Sequence, residues 1–281
     1  MCLERGLPRR RILDRFLRIG IGLATAPWLL PKPAGAAPAL PTPAEQKAVG
    51  AKATADILKK YPQVKDGRLR FFQDLARRLV ASLAEPDQKT WDYEFYVLES
   101  KEVNAFALPG GPIFMLTGLY ALMKTQDALA AVTGHELAHV YRQHWAKAYV
   151  KQVQRRRAVV LGTLLAGNKG AALGWGSLLA TVFRQKFSRE EEDEADVRGL
   201  NDMMAAAYNP EGMLQLFAIF EAQGGANARP FLASHPMTSD RIKRTQARIA
   251  QMGPRTFPPV KILNYDALRY GRRVTSRRDP I

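Results

Sequence analysis

His135-Glu136-Leu137-Ala138-His139 sets two imidazoles four residues apart, with a carboxylate directly after the first. On a helix, residues four apart project from one face, close enough for both rings to reach one metal ion. Glu136 is rotated off that axis, so it can act on a water held by the metal instead of joining the ligands. Zinc suits the pattern, because it polarises a carbonyl as a Lewis acid and brings the pKa of a bound water to about 7. With only three fixed positions, the pattern equally describes two surface histidines flanking a solvated glutamate. Its neighbours favour the metal: Leu129, Val132, Leu137 and Val140 give the helix a buried side.

A catalytic zinc usually keeps three protein ligands and an open position. A glycine three residues after His139 and a histidine six after would complete one known solution, but those positions hold Arg142 and Trp145. His144, five after, lies on another helical bearing and reads as a surface or packing histidine. An acid from a second helix is the other solution. Ser188-Arg189-Glu190-Glu191-Glu192-Asp193-Glu194-Ala195-Asp196 begins one, with Ser188 as N-cap and acids in the first turn. Glu192 and Asp196 share a face, so one can ligate zinc while the other accepts the free ring N–H of a ligating histidine. Glu190, Glu191 and Glu194 point elsewhere. Alone, this stretch reads as an acidic helix start balancing a basic protein; beside two histidines about fifty residues upstream, it reads as a ligand source.

The elements that must position these residues follow from pattern. Ala44 to Tyr61 and Gly67 to Leu83 carry helical spacing, and Glu85-Pro86-Asp87 closes the second of them. Trp91 to Leu98, Val103 to Leu108 and Ile113 to Leu116 read as strands, the last two joined by the turn Pro109-Gly110-Gly111-Pro112. From Gly118 onward the period is helical, and one run, Asp127 to Val150, carries the histidines. The class is α+β, mostly helical, with a small antiparallel sheet beside the metal helix. Ala158 to Phe183, apolar and glycine-rich around Asn168-Lys169-Gly170, reads as a helical hairpin. Its role is packing, or a lid or membrane-touching plug over the site.

The 281 residues are 47% hydrophobic and 24% charged, which excludes collagen-like, coiled-coil and wholly disordered chains. A formal net charge of +16 favours anionic partners. Cys2 is the single cysteine, so neither a disulfide framework nor a cysteine zinc site can form. Arg9-Arg10-Arg11, the apolar run Ile19 to Leu30, and small residues ending at Ala36 follow the order of an export signal, resembling the twin-arginine type. The expected organisation is a signal peptide at 1–36, one domain at 37–281 with its core at about 90–250, and a basic tail at about 253–281 that is solvated or touches anionic lipid.

Four blocks together resemble the gluzincin zinc peptidases related to HtpX, BepA and LoiP (CAAX prenyl endopeptidase-like). They are Asn104-Ala105-Phe106-Ala107-Leu108-Pro109-Gly110-Gly111, the His135–His139 motif, Ser188-Arg189 ahead of Glu192 to Asp196, and His235-Pro236 with Arg241. The resemblance spans about residues 90 to 250. It implies a zincin-like fold and one Zn2+ held by His135, His139 and Glu192, with Asp196 behind a histidine and Glu136 as general base and later acid. It also implies that His235 approaches the zinc, to stabilise an oxyanion or to fill the open position in a latent form, with Arg241 assisting. The transmembrane helices of HtpX-like members, the C-terminal helical repeats of BepA-like members and the lipid-bearing cysteine of LoiP-like members have no counterpart, so a minimal exported unit is expected.

An extended peptide must lie across such a zinc, and an edge strand beside the metal helix would hold it by main-chain hydrogen bonds; Asn104 to Leu108, with Asn104, Ala105 and Phe106, or Ile113 to Leu116 can serve. The expected function is hydrolysis of unfolded or misfolded envelope proteins in the periplasm or another exported location, with peripheral contact to anionic membrane and no nucleic acid. The rival is a basic, envelope- or polyanion-binding or chaperone-like protein with a closed or structural metal site.

Overall fold

Thr42 opens the first helix with a reciprocal cap: its hydroxyl accepts the Glu45 N–H, and the Glu45 carboxylate accepts the Thr42 N–H at 2.7 Å. In a computed structural model that describes residues 39–152, 154, 186–223, 229–253 and 255–270, this starts helix α1 (Pro43–Lys60). The expected leader, the expected 158–183 hairpin and the end of the basic tail lie outside the described residues. Asp66 caps α2 (Gly67–Ala81), which buries Phe72, Leu75, Ala76 and Leu79. Glu85-Pro86-Asp87 does not merely close that helix. Proline is tolerated in a first turn, where its missing N–H has no partner to lose, and the segment begins a short helix α3 (Glu85–Thr90).

The strands are β1 (Phe95–Leu98), β2 (Ala105–Ala107) and β3 (Ile113–Leu116); the first two are shorter than the sequence pattern indicates, and the third has the expected bounds. Their order is β1-β3-β2. The β2–β3 hairpin is antiparallel, but β1 runs parallel to β3, so the sheet is mixed, not purely antiparallel. Burial explains the order: all four residues of β3 are buried, as a central strand requires, whereas β2 is half-covered. The mostly helical α+β class otherwise stands. Among the described residues, no helix is long and apolar enough to cross a membrane.

After β3 come α4 (Thr117–Tyr120) and α5 (Gln126–Tyr141), then α6 (Arg189–Ala205), α7 (Glu211–Ala222), α8 (Arg229–Ser234), α9 (Ser239–Gln251) and α10 (Tyr265–Arg269). Every residue of α5 is buried, because α2, α6, α7 and strand β2 surround it. The expected helical run to Val150 breaks: Arg142 caps α5, Gln143 takes φ 56°, and helix resumes at 144. Gln143 is held there by the Gln46 side-chain amide of α1, which donates to its Oε1 at 2.9 Å. At the other end of α5, a returning strap pins the helix start. Gln126 N–H donates to the Lys261 carbonyl at 3.0 Å, and Leu263 N–H to the Lys124 carbonyl at 2.8 Å.

Helices α5 and α6 touch backbone to backbone where Gly134 meets Gly199. A Cβ on Gly199 would lie 2.9 Å from the His135 nitrogen, closer than real Cβ contacts run. Further along, the Tyr141 hydroxyl donates to Asp202 Oδ2 at 2.7 Å. Gly199→Ala is expected to destabilise the chain by about 1–3 kcal/mol in urea unfolding. Gly134→Ala, whose Cβ first meets α6 at 3.1 Å, should cost less.

Burial pushes the Asp202 carboxyl up to about 6 from 3.8, with Asp87 adding to the rise and Tyr141 and Arg198 opposing it. The folded chain then binds this proton more tightly than the unfolded one, so its contribution is full below about pH 4 and fades as pH rises to about 6. Asp202→Asn keeps an acceptor for Tyr141. It should remove that pH dependence and exceed the wild type by about 1–2 kcal/mol above pH 7, read from melting curves across pH.

Candidate metal centre

Thr125 caps α5 by accepting the Ala128 N–H, and the helical rise then places His135 and His139 one turn apart on the side facing α6. Ser188 and Glu191 exchange side-chain and backbone bonds at the start of α6, at 2.8 and 3.2 Å. That capping box consumes Glu191 and turns Glu192 and Asp196 inward, where each is almost fully buried. His235 follows α8, its N–H donating to the Phe231 carbonyl at 2.8 Å.

Four potential ligand atoms, from His135, His139, Glu192 and His235, lie within 4.8 Å of one another. His139 Nε2 is 3.0 Å from His135 Nε2, His235 Nδ1 is 3.3 Å from His135 Nε2, and His235 Nδ1 is 2.8 Å from Glu192 Oε1. Glu192 Oε1 is 3.4 Å from His139 Nε2, and Oε2 is 3.6 Å from His135 Nε2. A tetrahedral zinc with bonds of about 2.0–2.1 Å separates its ligand atoms by about 3.3 Å. These side chains therefore fit such an ion in number, type and spacing.

The surrounding charges suit the same task. Burial raises the Glu136 carboxyl above its ordinary value, with the charge of Glu192 adding to that and His235 and His135 opposing. Glu136 Oε1 is buried without a hydrogen-bond partner, 3.6 Å from His235 Nε2, and the Ala107 N–H of β2 reaches the same carboxyl. Burial holds His139 well below its ordinary value, in the neutral form a metal needs. Burial opposes ionisation of Glu192, but the charge of His235 and hydrogen bonds from His139 and His235 outweigh it and hold the carboxyl low. His235 is drawn up by the Glu192 and Glu136 carboxylates against burial.

Asp196 Oδ1 lies 3.0 Å from His135 Nδ1. Arg241 clasps Asp196 through Nε at 2.7 Å and Nη2 at 2.8 Å, and its Nη1 lies 2.6 Å from Glu192 Oε2 and donates to the Pro236 carbonyl at 2.9 Å. Its planar fork thus holds both carboxylates of α6. Of the segment read as substrate-binding, Asn104 and Ala105 are buried and Phe106 stacks on Phe114 of β3, centroids 5.0 Å apart. β2 is an edge strand; β3, the other candidate edge, is central and has no free side.

Sequence reasoning missed three features. His144 is neither on the surface nor mere packing: it is fully buried, its Nδ1 2.9 Å from His139 Nδ1 and its Nε2 3.1 Å from Glu194 Oε2. Glu194, expected to point elsewhere, faces it. Phe187 stacks on His139 with centroids 4.0 Å apart, and Phe231 on His235 at 4.5 Å, so the two rings are clamped by aromatic faces. A lone phenylalanine just before an N-cap carried no signal that would have marked it.

The sequence matches the family model for peptidase family M48 over residues 68–249. A putative beta-barrel assembly-enhancing protease of Vibrio cholerae is 30% identical over 202 residues, covering 68% of this chain and 40% of that protein. The mitochondrial metalloendopeptidase OMA1 of Schizosaccharomyces pombe is 33% identical over 174 residues, 60% of this chain and 50% of that protein. The beta-barrel assembly-enhancing protease of Escherichia coli K12 is 26% identical over 205 residues, 69% and 41%. The chain thus spans half or less of the length of these relatives.

Removing Arg241 leaves two buried carboxylates without their cation. Arg241→Ala should cost about 3–5 kcal/mol in denaturant unfolding of metal-free protein, far more than Arg244→Ala, whose partly exposed pair with Asp193 should contribute less than about 1 kcal/mol.

Proposed function

The chain belongs to peptidase family M48, and from that premise we propose that it is a zinc-dependent endopeptidase that hydrolyses unfolded or extended proteins of the cell envelope after export. The observation that carries this reading is the convergence of His135, His139 and Glu192 beside a buried Glu136 carboxyl with an unengaged oxygen. When bound, zinc supplies a Lewis acid for the scissile carbonyl and lowers the pKa of a coordinated water to about 7.

The rest falls to the protein. Glu136 takes one proton from the attacking water, whose remaining hydroxyl adds to the carbonyl carbon. The carboxyl then returns that proton to the leaving amine as the carbon–nitrogen bond breaks. Its raised proton affinity suits a group that must hold a proton between two steps. Asp196, fixed by Arg241, accepts from His135 Nδ1–H and leaves Nε2 free to ligate. The edge strand β2 runs beside α5, so a substrate segment pairing with it by main-chain bonds would pass Glu136. Such capture reads backbone more than side chains and favours extended chains. The relatives named for beta-barrel assembly, together with the leader read at 1–36, support an envelope setting.

A resting form of the same enzyme is supported by His235, which sits among the ligand atoms at 2.8 Å from Glu192. In that form His235 must withdraw before a carbonyl oxygen can enter.

Zinc-loaded full-length protein should cleave casein, and Glu136→Gln should lower the rate by about 100-fold or more while still binding one zinc per chain. His235→Ala should raise cleavage if the resting form dominates. Undiminished cleavage by Glu136→Gln would defeat the mechanism.

A further inference from the structure

His139 faces the other ligand atoms with Nε2, so its second nitrogen, Nδ1, points away from them. That second nitrogen does not meet a carboxylate or a backbone carbonyl. It meets another histidine: His144 Nδ1, 2.9 Å away. On its far side His144 presents Nε2 to Glu194 Oε2 at 3.1 Å. Glu194 is itself held by Arg142, whose Nε donates to Oε1 at 2.5 Å. His144 is fully buried, and both of its nitrogens are engaged.

Two nitrogens can share a hydrogen bond only if one of them carries the proton. A neutral imidazole that gives its Nε2 lone pair to a metal must carry its proton on Nδ1. His139 Nδ1 is then the donor, and His144 Nδ1 must accept. His144 is left with its own proton on Nε2, aimed at a carboxylate that can only accept. The order carboxylate, imidazole, imidazole therefore admits one tautomer at each ring. It is set by the Glu194 charge at one end and by the requirement for a free His139 Nε2 at the other.

The backbone is arranged to allow this. In an unbroken helix a residue five after His139 would lie off its face. The left-handed turn at Gln143, φ 56°, breaks the helix and brings His144 back to the Nδ1 edge of the His139 ring. Gln46 on α1 secures that turn from outside. Phe187 covers one face of the ring.

We propose that His144, oriented by Glu194, is a positioning residue for the metal centre: it fixes the tautomer and orientation of His139, as Asp196 does for His135. The proposal rests on the zinc reading above.

The chain contains four histidines, so all of their ring nitrogens can be resolved in long-range proton–nitrogen spectra of the zinc-loaded full chain. The expected spectrum has His139 protonated on Nδ1 and His144 on Nε2. A proton on His144 Nδ1 would overturn the proposal. Zinc affinity, measured by competition with a chromogenic chelator, should fall by about 10–100-fold in His144→Phe. It should largely recover in His144→Asn, whose amide oxygen can accept from His139 Nδ1–H. Equal affinity in wild type and His144→Phe overturns the relay and leaves the metal centre standing, whereas a wild type that binds no zinc overturns both. Should His144→Phe fail to fold, the wild-type spectrum and the affinity of Glu194→Ala decide the matter.

Discussion

Two helices lie closer together than ordinary side chains permit, and the centre exists because of it. His135 and His139 belong to α5, and Glu192 and Asp196 to α6, and neither pair can reach the other unless the backbones touch. Gly134 and Gly199 are the residues that let them. A methyl group at either position pushes against main chain, which has no rotamer to give, so the displacement would pass directly to the ligand atoms. Ligand separations of 2.8–3.6 Å leave little room for such a shift. The Tyr141–Asp202 bond ties the same two helices together a second time, further along.

Bringing so many ionisable groups into one dry space has an electrostatic consequence. Glu192 and Asp196 are both held in their charged forms, against the single guanidinium of Arg241. That leaves negative charge uncompensated in a place where isolated charge is costly. His235 is drawn toward its protonated form by the Glu192 and Glu136 carboxylates, and a divalent cation would satisfy this negative charge better. The donor set and the charge balance therefore favour one kind of occupant. Aromatic faces of Phe187 and Phe231 on two of the imidazoles limit the water that would otherwise weaken these interactions.

Helix-internal geometry was the part most readable from the chain. A spacing of four aligns two side chains whatever surrounds them, and Ser188 ahead of a run of acids announces a helix start by local chemistry alone. The strand segments were placed to within a few residues, and the family resemblance ordered the distant blocks. Tertiary effects were not readable. The position of β3 between β1 and β2 depends on burial of both its faces, which an apolar tetrapeptide does not declare. The break at Gln143 carries no glycine or proline, and the side chain that bonds it there, Gln46, lies nearly a hundred residues earlier. Because that break was invisible, so was the bearing of His144 and with it the purpose of Glu194.

The strap of residues 261–263 across the head of α5 has a bearing on how the molecule comes into being. Translation delivers the histidines long before the segment that anchors their helix, and His235 and Arg241 also come late. A growing polypeptide thus carries an unfinished centre from the synthesis of His139 until that of residues 235–263. The four converging ligand side chains and the strap that secures their helix can therefore come together only after residues 235–263 have emerged, so the centre is a product of late tertiary closure and not of the local helix that carries the first two rings.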